Sequence, residues 1–457
     1  MKIKFKPTND AFFNTRAQYV IENFLLNYES VDEHEIVLSV DSGADILAPS
    51  LAGQYFAKET AVFDDIPLVK SIYKEENIPF LFPQNNFTEP FEYRNGKVFF
   101  NFDIISAIFL LLSGYTELEE KGAKPDGLGR VEYKNSFIKY LNIITLPLVD
   151  YYYMLLVDAI ELAYGVKFKQ KLSKNAGFTI SVTHDIDYWS TIWRKTFKNA
   201  LKELNLRVAF QSLFTHKANN SPFEKIFSFE KAYKYVSTCF FLPKQGKYKC
   251  YENADYNIQH SDYKHFIQNK LNEIGIHPGF GCHDSEKEFE VQKQHLGKAT
   301  EKIISISRFH FLMFSRAQTP SILNSQGIKI DSTLGFNDAC GFRNATSLPF
   351  YLFDFNTSQR TNVLEIPLVV MDATLFYGHY LGFENKEQAM EYLKPVFTQL
   401  AKTKGCLVLN WHNDAFLPVG KSLWQVVLNE ILKYGQKNNA QFLSLSQIRN
   451  LLEGEND

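Results

Sequence analysis

From Gly177 onward, short apolar runs alternate with stretches whose apolar residues recur at helical spacing. Strands that alternate with helices in this way are typical of a parallel, barrel-like sheet. Strands are predicted at residues 178–182, 236–242, 273–276, 302–306, 328–330, 363–366 and 406–409. Helices are predicted between several of them, at residues 262–272, 286–300, 319–325 and 386–403. In such a fold, chemistry gathers at the carboxyl ends of the strands.

The first part of the chain has a less regular pattern. Short strand-like runs at residues 35–40 and 79–82 are mixed with helical stretches at residues 104–118, 136–140 and 148–164. A basic polar stretch at residues 167–175 then separates this part from the alternating part. Because a chain of 457 residues is too long for one ordinary core, we expect two domains. The first is a smaller α/β domain of unknown function at residues 1–170, and the second covers residues 176–457.

The composition argues against several classes of partner. The chain is 45% hydrophobic and 22% charged, with a formal net charge of -2, so it has no large positive field to attract nucleic acid or anionic lipid.

The chain contains neither an apolar stretch of membrane-span length nor the apolar segment of a signal peptide, and we expect a cytoplasmic protein without a membrane span. The cysteines form no CxxC pair, which argues against a disulfide framework or a thiolate zinc site; they are Cys239, Cys250, Cys282, Cys340 and Cys406.

Two carboxylates end the first strand of the alternating part. In the segment Val182-Thr-His-Asp-Ile-Asp187, Asp185 and Asp187 are separated by one residue. Carboxylates held close together repel, so such a pair indicates a cation between them or a general base beside a metal ligand. The alternative is a helix cap followed by a solvated loop acid. The spacing alone leaves both interpretations open.

Histidines follow several of the same strands. His277 comes directly after the third predicted strand, His310 follows the fourth together with Arg308, and His412 follows the last. His184 also lies at a strand end, whereas other histidines have no such position: His34, His216, His260, His265, His295 and His379. Catalytic zinc sites use three ligands from histidine and carboxylate side chains and keep one position open for water. The sequence can supply such a set.

These motifs resemble those of the polysaccharide deacetylase family, also called NodB-homology proteins. Thr183-His-Asp185-Ile-Asp187 looks like the first family motif, which makes Asp185 the general base and Asp187 a metal ligand. The strand at residues 237–241 is similar to the family's second strand, and His277 stands at the histidine motif. His412 matches the histidine that protonates the leaving group. The resemblance implies a distorted (β/α)7-type barrel as the catalytic domain, and a divalent metal, with zinc expected.

The third metal ligand is where the sequence departs from the family pattern. The usual second histidine, four residues after His277, would fall at Gly281. We favour His310 as the replacement, and His283 in the same loop as Gly281 is the alternative. Arg308 resembles the family's arginine motif and would orient the general base by a charge-assisted hydrogen bond, although a surface or core-capping role is the alternative.

Three further residues are assigned to substrate binding. Asp331 and Arg343 flank residues 332–342, where Gly335 and Gly341 suggest a tight loop, and a structural ion pair between Asp331 and Arg343 is the alternative. Trp411 lies within the last motif. More narrowly, the chain resembles a Bacteroidetes-type subgroup that joins an uncharacterised N-terminal domain to the catalytic domain. That likeness is carried by residues 101–117, 129–130, 275–278, 307–312, 331–336, 341–343 and 371–372.

The resemblance implies a metal-dependent hydrolase that removes acetyl groups, expected to be N-acetyl, from a carbohydrate. Its partner would be an acetylated carbohydrate used in cell-surface polysaccharide metabolism. A metal-free carbohydrate-binding or scaffold protein on the same barrel is one alternative, because the expected histidine is missing at Gly281. A metal-dependent amidohydrolase acting on a small non-sugar amide is another, because pocket shape selects the substrate in related barrels.

Overall fold

The computed structural model describes residues 2–30, 35–41, 43–58, 60, 62–118, 121, 124–173, 176–213, 220–248, 251–417 and 419–454. Cys250, His34 and His216 lie outside these ranges. The four described cysteines are buried and free. No helix within the described ranges combines the length and the apolar character needed to cross a membrane.

Strands and helices alternate along most of the chain. The strands are β1 Lys2–Phe5, β2 Tyr28–Ser30, β3 Glu35–Ser39, β4 Ile46–Leu47, β5 Leu68–Tyr73, β6 Glu76–Leu81, β7 Phe91–Arg94, β8 Lys97–Phe100, β9 Phe168–Gln170, β10 Thr179–Ile186, β11 Thr238–Phe241, β12 Lys247–Tyr248, β13 Tyr251–Glu252, β14 Glu273–Ile276, β15 Ile306–Ser307, β16 Ile330–Asp331, β17 Phe350–Asp354, β18 Gln359–Glu365, β19 Leu368–Met371, β20 Cys406–Asn410 and β21 Gln441–Phe442. The α-helices are α1 Ala11–Asn27, α2 Gly53–Ala57, α3 Ile104–Ser113, α4 Phe137–Leu141, α5 Leu148–Tyr164, α6 Ile192–Lys202, α7 Leu206–Ser212, α8 Ser221–Tyr233, α9 Ser261–Lys270, α10 Glu286–Thr300, α11 Thr319–Ser325, α12 Asp372–Phe376, α13 Lys386–Thr403, α14 Ser422–Lys437 and α15 Leu445–Glu453. Short 3-10 turns lie at Phe63–Asp65, Tyr115–Glu117, Tyr133–Asn135, Lys171–Ser173, His310–Leu312 and Asn413–Phe416.

The first part of the chain packs helices on a sheet of its own, with strand order β1-β3-β4-β8-β7. Its central helix, α3, is buried along its whole length because nearly all of its residues are apolar. The Asp103 side chain caps its first turn by accepting a hydrogen bond from the Ser106 N–H. Gly114 ends the helix at a positive φ of 67°, and a side chain there would collide with the guanidinium of Arg316.

The larger sheet has the order β17-β18-β16-β15-β14-β11-β10-β20-β19, and β21 pairs with the start of β10. Its neighbouring strands are parallel except for the antiparallel pair β17 and β18. All eight residues of β10 are buried, as expected for a strand in the middle of a parallel sheet. The sheet therefore brings the carboxyl ends of β10, β14, β15 and β20 to one edge.

This sheet curls into a half-barrel, in agreement with the parallel, barrel-like sheet that the sequence predicted. Closure needs a complete ring of paired strands, and within the described residues no pairing joins β17 to β19. The predicted strands are all represented, but the one expected at 302–306 is shifted to β15, which has only two residues. Ile303, which made the predicted strand look apolar, is 94% exposed.

The first part of the chain packs directly against β17 and β18. The Tyr19 ring contacts the Phe353 ring edge-on at 5.2 Å, and the Phe109 ring does so at 5.0 Å. The Tyr19 hydroxyl also donates a hydrogen bond to the Tyr351 carbonyl oxygen at 2.8 Å. Buried apolar residues of both parts belong to one continuous cluster. The division into domains at residues 170 and 176 stays a prediction.

Candidate functional site

A cavity of about 210 Å³ lies at the edge where the carboxyl ends of the parallel strands meet. Asp185 reaches it from the end of β10, His277 from the residue after β14, and His412 from the second residue after β20. His310 enters from the turn that follows β15. The lining also includes Arg130, Asp187, Tyr188, Phe311, Leu312, Asn337, Met371, Ala373, Tyr377, His379, Tyr380 and Asp414. Four strand ends thus bring separated residues of the sequence into one small space.

Asp187, His277 and His310 form a tight group in this cavity, which we call the donor cluster. Asp187 Oδ1 lies 3.6 Å from His277 Nε2 and 3.7 Å from His310 Nδ1. The two histidine nitrogens are 3.0 Å apart. Two donors on one tetrahedral zinc ion would be separated by about 3.3 Å, given metal–nitrogen bonds of about 2.0 Å. The spacing of the donor cluster therefore suits a single metal ion.

The bonding around the donor cluster leaves its donor atoms pointing inward. His277 Nδ1 lies 2.5 Å from the Arg308 carbonyl oxygen, so Nδ1 carries the proton and the lone pair of Nε2 faces the cavity. Burial lowers the pKa of His277 to about 4, which keeps the ring neutral and able to bind a metal. Asp187 Oδ1 is buried and has no hydrogen-bond partner in the described part of the chain, and burial raises the pKa of Asp187. An uncompensated carboxylate oxygen beside two ring nitrogens fits zinc or a similar divalent cation.

Both carboxylate oxygens of Asp185 are held by neighbouring side chains. Its Oδ2 accepts a hydrogen bond of 2.7 Å from Asn410 Nδ2 and lies 3.7 Å from His277 Nε2. Its Oδ1 lies 3.3 Å from Arg308 Nη1. Burial favours the protonated acid, but the interactions with His277, Arg308 and His412 and the hydrogen bond from Asn410 outweigh it and lower the pKa of Asp185 to about 2. Asp185 is therefore an ionised group that can accept a proton beside the donor cluster.

Arg308 is fully buried beneath the cavity. Its Nε donates to the Ser332 carbonyl oxygen at 2.8 Å, its Nη2 donates to Ser332 Oγ at 2.9 Å, and its Nη1 also donates to Thr183 Oγ1. The guanidinium stacks over the Phe240 ring at 4.6 Å. Because these contacts fix the guanidinium plane, Arg308 holds the Asp185 carboxylate in one orientation.

His412 lies on the far side of Asp187, with its Nε2 3.7 Å from Asp187 Oδ2. Its Nδ1 is 2.6 Å from Asp372 Oδ1, and its backbone N–H donates to Asp372 Oδ2 at 2.8 Å. Burial disfavours a charged ring, but Asp372, Asp187 and Asp185 together raise the pKa of His412 to about 10. His412 therefore carries a proton on the side that faces the cavity.

The alternative metal ligand, His283, lies outside the donor cluster. It lines another cavity, of about 390 Å³, and its Nε2 is 3.9 Å from Asp284 Oδ2. His184 is fully buried and its Nδ1 donates to the Trp411 carbonyl oxygen at 2.7 Å. Burial lowers the pKa of His184 to about 4. The structure thus brings three of the strand-end histidines to the cavity and leaves the fourth in the core.

The three residues expected to bind substrate do not line the cavity. Trp411 is fully buried, and its indole Nε1 donates to the Trp424 carbonyl oxygen at 3.0 Å. Asp331 is buried as well, where its carboxylate accepts hydrogen bonds from the Ser307 hydroxyl and, at 3.1 Å, from the Thr333 N–H.

Arg343 was expected either to bind substrate or to pair with Asp331, and it pairs with Glu117. Its Nε and Nη2 donate to the two Glu117 carboxylate oxygens at 3.0 Å each, and Arg316 Nε donates to Glu117 at 2.7 Å. We call Glu117, Arg316 and Arg343 the Glu117 junction. The Glu117 junction joins the first part of the chain to the part that carries the larger sheet. Because Arg343 pairs with Glu117 there, its side chain does not reach the cavity.

Several residues that line the cavity or bond to its lining residues were not identified from the sequence. Asn410 was detectable, since it stands at the end of a predicted strand two residues before His412. Asp372 follows β19, which was not predicted as a strand. Arg130 comes from the first part of the chain and has no local signal that links it to the cavity.

Residues 11–165 match a family described as "Family of unknown function (DUF7033)". Comparison of the sequence with curated proteins finds no match. Solved structures with a similar fold include PuuE allantoinase, at 14% identity and a TM-score of 0.42 over 62% of this chain and 92% of that chain. Another is a protein of Pseudomonas aeruginosa PAO1 described as a "probable Polysaccharide deacetylase", at 14% identity and a TM-score of 0.41 over 61% of this chain and 92% of that chain.

A third similar structure is the peptidoglycan deacetylase PdaC of Bacillus subtilis, at 13% identity and a TM-score of 0.31 over 61% of this chain and 93% of that chain. Similarity of this degree assigns no activity to the chain. Its function has to be inferred from the residues of the cavity and from the sequence motifs that place them there.

Proposed function

We propose that the protein is a metal-dependent hydrolase that removes acetyl groups, in particular N-acetyl groups, from a carbohydrate. The observation that most strongly supports the proposal is the donor cluster, flanked by the ionised Asp185 on one side and the protonated His412 on the other. Amide or ester hydrolysis needs both a group that accepts a proton and a group that donates one. The resemblance to polysaccharide deacetylases assigns the same two roles to these residues.

Asp187, His277 and His310 would hold the metal, for which zinc is the expected ion. When bound, a divalent metal polarises the acetyl carbonyl and lowers the pKa of water toward about 7. The Arg308 carbonyl oxygen fixes the His277 ring, so the ligand atom is oriented in advance.

Asp185 would accept the proton of the attacking water at its Oδ2, which lies 3.7 Å from His277 Nε2. Arg308 and Asn410 act as positioning residues, because their hydrogen bonds hold the carboxylate toward the donor cluster. The low pKa of Asp185 keeps it ionised before the reaction.

His412 would donate the proton that the departing amine or alkoxide needs. Asp372 holds the Nδ1 side of the ring, which leaves Nε2 to carry the transferred proton. The same carboxylate stabilises the charged ring, so the proton is present when the carbon–nitrogen or carbon–oxygen bond breaks.

The walls of the cavity support a carbohydrate as substrate. Tyr188, Phe311, Tyr377 and Tyr380 supply aromatic faces and hydroxyl groups of the kind that pack against sugar rings. A volume of about 210 Å³ is below the usual range of about 300–1,000 Å³ for sites that enclose a whole ligand. The acetylated end of a saccharide would therefore enter the cavity while the rest stays outside. A role in cell-surface polysaccharide metabolism follows from this proposal and from the family resemblance.

The small cavity also favours one second candidate, an amidohydrolase acting on a small non-sugar amide. Acetate release from N-acetylated and O-acetylated saccharides, measured beside hydrolysis of small amides, separates the two. Activity on saccharides supports the deacetylase, and activity confined to small amides would support the second candidate.

Metal content tests the site itself. The full chain should hold about one zinc ion, as measured by elemental analysis, and Asp187→Ala, His277→Ala and His310→Ala should lose it. His283→Ala is the matched control, since His283 lies outside the donor cluster and should leave the zinc in place. A wild-type chain that binds no metal even when zinc is supplied would instead indicate a binding or scaffold protein.

A further inference from the structure

An arginine from the first part of the chain reaches into the cavity. Arg130 lies in the region that matches the family of unknown function, yet it lines the same cavity as the donor cluster. Only 10% of its side chain is exposed. Its Nη1 donates a hydrogen bond of 3.2 Å to the carbonyl oxygen of Phe311, the residue that follows His310. A residue far away in sequence therefore contacts the turn that carries a proposed metal ligand.

That turn, His310–Leu312, has an unfavourable backbone conformation. Phe311 has φ 57° and ψ 16°, and Leu312 has φ 55°, so two successive residues with side chains adopt the left-handed region. Each such residue costs roughly 1–2 kcal/mol relative to an ordinary conformation. Surrounding contacts must hold the turn in place.

The Phe311 ring packs against the His310 ring, so the conformation of the turn affects the position of His310. The two rings meet edge-on at 4.4 Å, and the Phe311 ring also packs against Phe280 at 5.3 Å and Tyr251 at 5.4 Å. If the turn relaxed to an ordinary conformation, the Phe311 carbonyl and ring would both move. The His310 ring would then lose its contact with the Phe311 ring, which is one of the contacts that hold it beside Asp187.

Arg130 is itself rigidly held by the loop of residues 126–130. Its Nε and Nη2 donate to Asp126 Oδ2 at 2.8 Å and 2.7 Å. The other oxygen of Asp126 accepts the N–H groups of Leu128 and Arg130 at 2.9 Å and 3.0 Å. Gly129, at φ 79°, allows the chain to turn this tightly. The guanidinium is thus presented to the cavity in a fixed position.

We propose that Arg130 is a positioning residue of the metal site, through which the first part of the chain holds the strained His310–Leu312 turn. The proposal rests on the proposed function in that it assigns His310 to the metal. It gives the region of unknown function a role, because the arginine that stabilises the turn comes from outside the larger sheet. If Arg130 served stability alone, its ion pair with Asp126 would be sufficient, and the further hydrogen bond to the Phe311 carbonyl oxygen would have no role.

The test compares zinc affinity with the protection of the turn from hydrogen exchange. In the full chain, Arg130→Gln should weaken zinc binding by about 10- to 100-fold, the usual effect of losing a residue that orients a ligand. Arg130→Lys should fall between this variant and the wild type, because a single ammonium cannot pair with Asp126 and reach Phe311 together. In the metal-free protein, the amides of Leu312 and Met313, which donate to Phe309 and His310, should exchange faster in both variants.

Arg360→Gln is the matched control. Arg360 Nε pairs with Glu22 at 2.6 Å and likewise links the two parts of the chain, but it does not line the cavity. It should lower thermal stability without changing zinc affinity or exchange in the turn. Unchanged exchange in the Arg130 variants would overturn the proposal, and so would faster exchange with unchanged zinc affinity. A wild-type chain that binds no zinc would refute the proposed function, while the exchange rates would still decide whether Arg130 holds the turn.

Discussion

The donor cluster and the Glu117 junction are both buried groups of charged or ionisable side chains, but their bonding is opposite. At the junction, both Glu117 oxygens accept hydrogen bonds from arginines that lie within 3.0 Å. In the donor cluster, Asp187 Oδ1 is buried without a hydrogen-bond partner among the described residues. Buried polar groups are normally satisfied, so the fully bonded Glu117 fits a structural role, whereas the unsatisfied Asp187 oxygen, beside two ring nitrogens in a cavity, fits a ligand that binds there. Bonding, more than burial or charge, separates the two regions.

Asp185 is an intermediate case, which makes it the sharpest test of this distinction. Its carboxylate is held by Arg308 and Asn410, so it is not needed as a metal ligand, yet it faces the cavity. Asp185→Asn should lower kcat for acetate release by about 10²- to 10⁴-fold, because the general base is lost. Zinc content should stay near the wild-type value. Loss of the zinc together with the activity would mean that Asp185 is a ligand.

Glu117→Gln should destabilise the fold without affecting the metal site. Removing the carboxylate leaves Arg316 and Arg343 buried without their counter-charge, which typically costs about 3–5 kcal/mol. Chemical denaturation measures the free energy of unfolding, and zinc titration of the folded variant serves as the control. A variant as stable as the wild type would show that the junction is not structural.

Zinc should stabilise the wild type and leave Asp187→Asn unaffected. Free zinc at about 100 times its Kd adds about 2.7 kcal/mol to the unfolding free energy of a protein that binds it only when folded. Without zinc, Asp187→Asn should be about as stable as the wild type, because the variant loses the ion pair with His412 but no longer buries a carboxylate oxygen that lacks a hydrogen-bond partner among the described residues. Thermal unfolding with and without zinc provides the measurement, and a marked loss of stability in the metal-free variant would assign Asp187 a structural role instead.

The pH dependence of stability tests the charge of the Glu117 carboxylate, with the smallest change for each step of the measurement. Burial opposes ionisation, but Arg316 and Arg343 outweigh it and lower the pKa of Glu117 to about 2. A lowered folded pKa stabilises the protein above the unfolded value, near 4.5, and this stabilisation is lost as the pH falls toward 2. The stability difference between wild type and Glu117→Gln should therefore shrink over this range, by at most about 1.4 kcal/mol per pH unit. A difference that stays constant with pH would contradict the assignment.

Much of the site could be predicted because parallel strands bring their carboxyl ends together. Asp185, Asp187, His277 and His412 were all chosen by that rule, and all four line the cavity. The rule could have been applied further. Side chains alternate along a strand, so the neighbours of cavity-facing residues point away from the cavity. That alternation places His184, next to Asp185, in the core.

Trp411 shows the same alternation, since it lies between Asn410 and His412, which both face the site. The other residues whose place the sequence did not reveal were missed for a different reason. Asp372 bonds to His412 and Arg130 lines the cavity, and both come from segments whose position depends on tertiary packing, which no local pattern encodes. Arg343 was drawn to Glu117, a partner from the first part of the chain that sequence spacing cannot identify.

The packing of the first part of the chain on β17 and β18 bears on how the protein can be dissected or recombined. Phe353 is almost fully buried, and part of its cover comes from Tyr19 and Phe109. A fragment that begins near residue 176 would present this apolar surface to water, and its low solubility would say nothing about its chemistry. Chimaeras between related chains should therefore exchange the β17–β18 hairpin together with the N-terminal helices that cover it, because the two sides of this interface have to fit each other.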